Sequence, residues 1–317
     1  MQGVILDRDS LDNSDLDFSQ LNESLHVWHS FDTANDTPTH RRIEGAEVVV
    51  TNKVILDQSI IEAADSLRLI AIAATGTNNV DLEAAREKEV AVCNVTGYAT
   101  PSVVEHVFAL ILSLSRHLNH YRSDLQAGAW QQSPHFTLLN HPVGELSGKR
   151  LGIVGYGELG QAVARCAEAF GMRVLLAARP GGDERPDRIP LEQLLPQIDI
   201  LTLHCPLSPE TTGLIDNKAL SLMKPSALLI NAARGGIVDE AALLNALQSG
   251  RLAGAGIDTL AIEPPDDESP LLSVNLPNLI VTPHIAWASR EARQRLIDQV
   301  GLNIEAFIKG EKRNRIV

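Results

Sequence analysis

Three polar residues stand just past apolar runs suited to buried strands: Arg234 in ALLINAARGGIVDE, Glu263 in GIDTLAIEPP and His284 in LIVTPHIAW. A guanidinium is costly to bury unless it is paired, so Arg234 calls for an anion, either a protein carboxylate or a ligand. Reduction of a 2-oxo acid by a nicotinamide needs three things: a cation for the substrate carboxylate, a proton donor at the carbonyl oxygen, and a group that keeps the donor protonated. Arg234, His284 and Glu263 supply those roles in that order. A carboxylate beside a histidine favours the imidazolium, which makes the ring a usable acid near neutral pH. Each residue also has an ordinary explanation, as a structural ion pair, a loop carboxylate and a satisfied core histidine. A nucleotide-binding scaffold would give them a shared purpose.

The stretch RLGIVGYGELGQAVARCAEAF supplies such a scaffold, with Gly155, Gly157 and Gly160 in GxGxxG spacing between an apolar strand and a helix. In that context Gly155 makes the tight turn, Gly157 lets backbone amides approach a pyrophosphate, and Gly160 permits close helix packing. Glu158 and Leu159 open the helix that would face the phosphates. The fingerprint normally ends, roughly 20 residues on, with an acidic residue for the ribose 2′-hydroxyl. Here the second strand ends in LLAARPGG, so Ala178 takes the acidic position and Arg179 follows. Without a carboxylate to repel it, a 2′-phosphate can pair with the guanidinium, and NADP is expected over NAD.

The elements that must position these residues are legible in outline. A chain of 317 residues exceeds one ordinary core and implies about two domains. Short runs rich in Val, Ile and Leu alternate with helical patterns throughout, which predicts an α/β fold with parallel sheets. Strands are expected at GVILD, EVVVTN, LRLIAIAAT and VAVCNV, with HVWHS as a further one. A second series follows at RLGIVGYG, RVLLAAR, IDILTLHCP, ALLINAAR, LAGAGIDT and NLIVTPHIA. Between the series, residues 100–128 read as one long buried helix opened by Thr100 and Pro101, followed by a long loop or arm. SREARQRLIDQVGLNIEAFIKG closes the chain as an amphipathic helix.

Composition narrows the function classes. The net charge of −13 argues against nucleic-acid or anionic-membrane partners, which select basic surfaces. Cys93, Cys166 and Cys205 lie singly, without ligand spacing, so neither a disulfide framework nor a metal site is suggested, and three buried thiols are expected. No run of about 18 apolar residues and no basic leader occurs, and a cytoplasmic protein is expected.

Taken together, LGIVGYGELG, HCPLSPETTGLI, MKPSALLINAARGGIVDEAAL, LAGAGIDTLAIEPP and NLIVTPHIAW resemble the D-isomer-specific 2-hydroxyacid dehydrogenases over nearly the whole chain. The resemblance implies a Rossmann nucleotide domain, residues 100–285, inserted into a discontinuous flavodoxin-like substrate domain made of 1–99 and 286–317. It places the active site in the cleft between the two, which closes to exclude water. It gives Arg234 the substrate carboxylate, His284 the acid/base role and Glu263 the partnership with His284. It also puts Asp258 at the nicotinamide end of the cofactor, with Pro206 and Ala232 on the cofactor side. In AATGTNNVDL, Thr75 and Gly76 match the loop whose amides hold the carboxylate, with Thr75 also near the cofactor; Asn52 and Lys53 would line the pocket.

VVVTNKVIL, AATGTNNVDL and NVTGYATPSVVEHVFALIL look most like the glycerate dehydrogenase and hydroxypyruvate reductase branch, which implies hydroxypyruvate and glyoxylate as substrates. Trp287 and Trp130 would pack over a small substrate. The segment 100–148 would be a dimerisation helix and arm of a homodimer, with Trp130 acting across it. Two alternatives stay open: a reductase of bulkier 2-oxo acids such as phenylpyruvate, and a non-catalytic corepressor-like sensor of NAD(H). The absence of a basic patch and the presence of all three catalytic residue types weigh against the sensor.

Overall fold

The computed structural model describes residues 1–33, 36–179 and 185–317. The chain divides into two compact units, Met1–Ala99 with Trp287–Val317, and Thr100–Ala286.

The first unit is a five-stranded parallel sheet: β1 (Gln2–Ile5), β2 (Val27–Ser30), β3 (Val48–Thr51), β4 (Leu69–Ile72) and β5 (Ala91–Cys93). Their order β2-β1-β3-β4-β5 is the flavodoxin-like one. Every residue of β3 and β4 is buried, which explains why these strands read as nearly continuous Val/Ile/Leu/Ala runs, broken only by Thr51 at the end of β3. One face packs against Ile43, Ile61, Ala84 and Ala85. The other packs against Leu296, Ile297, Val300 and Ile304 of the helix Arg290–Ile308. The order reverses between β1 and β3, where open sheets of this kind place ligands.

The second unit holds β6 (Arg150–Val154), β7 (Arg173–Ala177), β8 (Arg188–Ile189), β9 (Ile200–Leu203), β10 (Leu228–Asn231), β11 (Gly254–Ile257) and β12 (Leu279–Val281). All are parallel, in the order β12-β11-β10-β9-β6-β7-β8. This is the Rossmann arrangement, with the reversal between β6 and β9. The glycines of β11 seat the helix Thr100–Ser115: a Cβ on Gly256 would lie 3.0 Å from Leu110 Cβ, and one on Gly254 3.1 Å from Leu114 Cδ2.

Residues 100–128 are not one helix. His117 takes a left-handed conformation (φ 52°) and separates Thr100–Ser115 from a second helix, Leu118–Gln126. A single left-handed residue redirects the chain, and no glycine or proline marks the place in the sequence. Only the first helix is buried; the second buries none of its residues. The arm that follows has no regular structure and carries Phe136 and Leu139 at 91% and 84% exposure. Of the three cysteines, Cys93 and Cys205 are buried, whereas Cys166 on the helix Glu158–Ala169 is half-buried. Among the described residues no helix is long and apolar enough to cross a membrane, and no cluster suits a metal ion.

Candidate active site

The glycine loop joins β6 to the helix Glu158–Ala169. Gly155 has φ +91°, and a Cβ there would sit 2.5 Å from Cys205 N and from the His204 carbonyl carbon, so the position excludes side chains twice over. A Cβ on Gly160 would lie 2.1 Å from Gly155 O, which is the close helix packing the spacing implies. Gly157 differs, because nothing lies within 4 Å of its Cβ position. It precedes the helix as an N-cap with no side-chain hydrogen bond. An open approach to an uncapped helix N-terminus fits a pyrophosphate, whose charge the helix dipole favours. The Glu158 carboxylate accepts from Thr100 Oγ1 at 2.6 Å, so what Glu158 offers a ligand is its backbone. Leu159 is half-buried behind it.

At the end of β7 the Ala178 amide donates to Ile189 O at 2.8 Å, and Arg179 is exposed. The Pro180–Gly182 part of the LLAARPGG reading lies outside the described residues. After β9, the carbonyl of Pro206 accepts from Thr211 Oγ1 at 2.7 Å and Pro206 itself is exposed. His204, just before it, bonds Thr202 Oγ1 through Nε2 at 2.9 Å, while its Nδ1 is sealed off without a partner. Burial pushes this histidine down to about 4.

Arg234 sits in the loop after β10. The loop is shaped by Asn231, 1% exposed, whose side-chain nitrogen donates to Arg234 O at 2.9 Å and whose oxygen accepts from Ala233 N at 3.1 Å. Ala232 is half-buried between them. The half-buried Arg234 donates from Nη1 to Ala233 O at 2.7 Å, and among the described residues no carboxylate comes within 4.0 Å of it. No carboxylate of the described residues is thus the anion that its sequence context calls for. Gly235 beside it is obligatory, since a Cβ would fall 1.8 Å from Leu260 O. That contact presses the Arg234 loop against the loop that carries Glu263.

Glu263 accepts from Leu260 N through Oε1 at 2.9 Å, which fixes the carboxylate. Its Oε2 lies 2.6 Å from His284 Nδ1. The pair is partly open, with side chains 35% and 26% exposed. Holding Nδ1 in this way turns Nε2 outward as the atom available to a substrate, the orienting role a carboxylate plays beside a histidine acid/base.

His284 has φ +55°, an unfavourable conformation for a side-chain-bearing residue that its surroundings must enforce. Asp258 does the enforcing. Its backbone oxygen accepts from His284 N at 2.8 Å. Its carboxylate accepts from Thr282 Oγ1 at 2.6 Å, Ile285 N at 2.9 Å and Ala286 N at 3.0 Å. His106 Nε2 completes the network, 3.0 Å from Thr282 Oγ1 and 3.4 Å from Asp258 Oδ1. Burial raises the Asp258 carboxyl, but the bonds from His106, Thr282 and the two amides outweigh it and hold it below the usual carboxylate range. Asp258, which the resemblance puts at the nicotinamide end of the cofactor, is 1% exposed, and its carboxylate holds the histidine loop.

In the first unit, Asp7 is fully buried where β1 and β3 part, and its carboxylate accepts from the amides of Asn52, Lys53 and Val54. Asn52 is 4% exposed and donates its side-chain amide to Ser10 Oγ at 3.1 Å, which braces the strand end. Lys53 is exposed. Thr75 donates its hydroxyl to Val95 O at 2.8 Å, and its carbonyl accepts from Asn94 Nδ2, also at 2.8 Å; Gly76 next to it is half-buried. Trp287 meets Tyr98 edge to face at 6.4 Å and packs on the core of this unit. Trp130, in the arm of the other unit, is 52% exposed and donates its indole N–H to Phe136 O at 3.0 Å.

Sequence reasoning did not find Asn231, Asp7 or His106. Asn231 and Asp7 leave a trace, each as a polar residue that closes an apolar run.

A profile of the NAD-binding domain of the D-isomer-specific 2-hydroxyacid dehydrogenases matches residues 108–286. The chain belongs to that family. It is 44% identical over 316 residues to the glycerate dehydrogenase of Methylorubrum extorquens, covering 98% of this chain and 97% of that one. To the hydroxypyruvate reductase of Blautia hydrogenotrophica it is 37% identical over 321 residues, with 99% of each covered. The crystal structure of D-lactate dehydrogenase from Aquifex aeolicus with NAD and lactic acid superposes with a TM-score of 0.82 at 28% identity, covering 98% of this chain and 96% of that one. A family of nicotinamide-dependent oxidoreductases accounts for the glycine loop and the histidine–glutamate pair on one scaffold.

Proposed function

We propose that the protein reduces small 2-oxo acids, hydroxypyruvate to D-glycerate and glyoxylate to glycolate, with NADPH preferred to NADH. The observation that carries the reading is the His284–Glu263 pair at 2.6 Å on a loop pressed against the one bearing Arg234, a guanidinium with no carboxylate partner among the described residues. Similarity to a glycerate dehydrogenase and a hydroxypyruvate reductase over nearly the whole chain supports the choice of substrate.

The backbone around Gly155, Gly157, Glu158 and Leu159 would hold the pyrophosphate. The reduced nicotinamide, when bound, supplies the hydride that C2 of the substrate accepts. Arg234 binds the substrate carboxylate and so fixes which carbon is presented. His284 gives the proton on Nε2 to the carbonyl oxygen as charge develops there, and Glu263 stabilises the imidazolium before the transfer. Asp258 and His106 act through the loop, holding His284 in its left-handed conformation. The Ala178–Arg179 pair, with no acidic residue where a 2′-hydroxyl would be bound, supports NADPH.

The test is the initial rate of NADPH and NADH oxidation with hydroxypyruvate, glyoxylate and phenylpyruvate. Hydroxypyruvate with NADPH is expected to be fastest. A preference for NADH would sink the Arg179 argument and leave the enzyme standing; a preference for phenylpyruvate would overturn the substrate class. No turnover by protein that still binds both cofactors would point to a sensor.

A further inference from the structure

The position of Arg188 is anomalous for its residue type. In the register of the second sheet, Ile153 stands opposite Leu176, and Leu176 opposite Arg188. Residues paired across parallel strands project from the same face, so the three form one row. That face is the one covered by the helix Glu158–Ala169, because Ile153 Cγ2 lies 3.4 Å from the Cβ position of Gly160. An aliphatic side chain would complete the row.

Arginine occupies the position with its side chain only 5% exposed. Its Nε is buried without a hydrogen-bond partner among the described residues. The one carboxylate near it among the described residues is its chain neighbour Asp187, whose oxygen is 3.6 Å from Nε, too far for a hydrogen bond, on a side chain that is itself 60% exposed. The guanidinium carbon lies 4.9 Å from the ring centroid of Tyr156, the residue between Gly155 and Gly157. The side chain thus runs from β8 up to the glycine loop and is held there by the face of an aromatic ring. A guanidinium on a side chain only 5% exposed, with its Nε–H buried and unsatisfied, is destabilising unless an anion arrives.

We propose that Arg188 is a second determinant of cofactor choice, binding a phosphate on the 2′ oxygen of the adenine ribose while Tyr156 fixes its orientation at the glycine loop. The proposal rests on the reading of the glycine loop as the nucleotide site. β7 lies between β6 and β8, so its end, where the adenosine ribose is recognised in such folds, is flanked by Tyr156 on one side and Arg188 on the other. An acidic residue at Ala178 would neutralise a neighbouring guanidinium and close the site to a phosphate. Alanine leaves the surroundings of Arg188 free of that charge.

Calorimetric titration of the full-length protein with 2′,5′-ADP and with 5′-ADP isolates the 2′-phosphate from any chemistry at the nicotinamide end. The wild type is expected to bind 2′,5′-ADP at least tenfold more tightly. In Arg188→Met, which keeps the bulk of the buried row, 2′,5′-ADP should weaken about tenfold or more while 5′-ADP changes less than twofold. Arg188→Lys should fall between, and gives the same readout if the methionine variant fails to fold. Equal losses for both nucleotides would mean that Arg188 only supports the glycine loop, and the proposal falls. An unchanged wild-type preference in the variants would also overturn it, with the NADP reading intact. A wild type that binds both nucleotides equally would sink the NADP reading and the proposal together, and one that binds neither would remove the nucleotide site itself.

Discussion

Replacing Arg234 separates a ligand-binding guanidinium from a structural one. A buried ion pair that loses one partner typically destabilises a protein by about 3–5 kcal/mol, because the other charge is stranded. Arg234 strands nothing when removed: its side chain makes one hydrogen bond, to the carbonyl of Ala233, and no carboxylate of the described residues lies within 4.0 Å. Arg234→Gln should therefore unfold in urea with a free energy within about 1 kcal/mol of wild type, the net worth of one hydrogen bond. Its catalysis should suffer far more. A guanidinium meets a carboxylate with two parallel charge-assisted bonds, each worth about 1.5–3 kcal/mol, and lysine can reproduce only one of them. Arg234→Lys should thus lose about 10- to 150-fold in kcat/KM for hydroxypyruvate, and Arg234→Gln more. Steady-state kinetics beside urea titrations of the same preparations give both numbers. The reasoning is refuted if Arg234→Lys keeps kcat/KM within threefold of wild type, or if Arg234→Gln is destabilised by more than about 3 kcal/mol, the signature of a stranded partner.

Two glycines of one loop should respond in opposite ways. Gly157→Ala places a methyl in open space and should leave the melting temperature nearly unchanged while weakening 5′-ADP binding at least tenfold in a titration. Gly160→Ala places one 2.1 Å from Gly155 O, and should lower stability by about 1–3 kcal/mol, the range for overpacking a well-filled site. Asp258→Asn should cost about 2–4 kcal/mol at pH 7, since an amide cannot accept from both Ile285 N and Ala286 N while also taking the Thr282 hydroxyl. The wild-type carboxyl lies below its ordinary 3.8, so its contribution is complete above that value and disappears as the pH falls through the native pKa. Stability curves of the two proteins should run parallel above the ordinary carboxylate range and converge as the pH falls through the lowered native pKa, as measured by urea titration across the acid range.

The alternation of strands and helices, the glycine loop and the identities of Arg234, Glu263 and His284 were all legible in the primary structure, because each depends on local properties. A parallel strand buried on both faces is apolar along most of its length, and a tight turn with φ +91° at Gly155 favours glycine. Carboxylate, imidazole and guanidinium are also chemically distinct enough to be recognised without knowing their neighbours. The break at His117 was not legible, since the sequence there carries no helix-stopping residue and the turn is set by what packs around it. The bond from Asn52 to Ser10 Oγ was not legible either, since it joins residues 42 positions apart.

What the sequence determines by itself is therefore the scaffold and the candidate groups placed on it. What the tertiary structure decided is how they are held: His284 Nδ1 at 2.6 Å from Glu263, Asp258 beneath the loop, and Arg188 stretched under Tyr156. These relations come from sheet order. β11 lies between β10 and β12, so Asp258, following β11, meets the loop after β12, while β7 between β6 and β8 sets Arg188 next to the strand end that would read the ribose. Neighbours in a parallel sheet can be any distance apart in the chain, and the propensities that place each strand carry no information about which strand lies beside it.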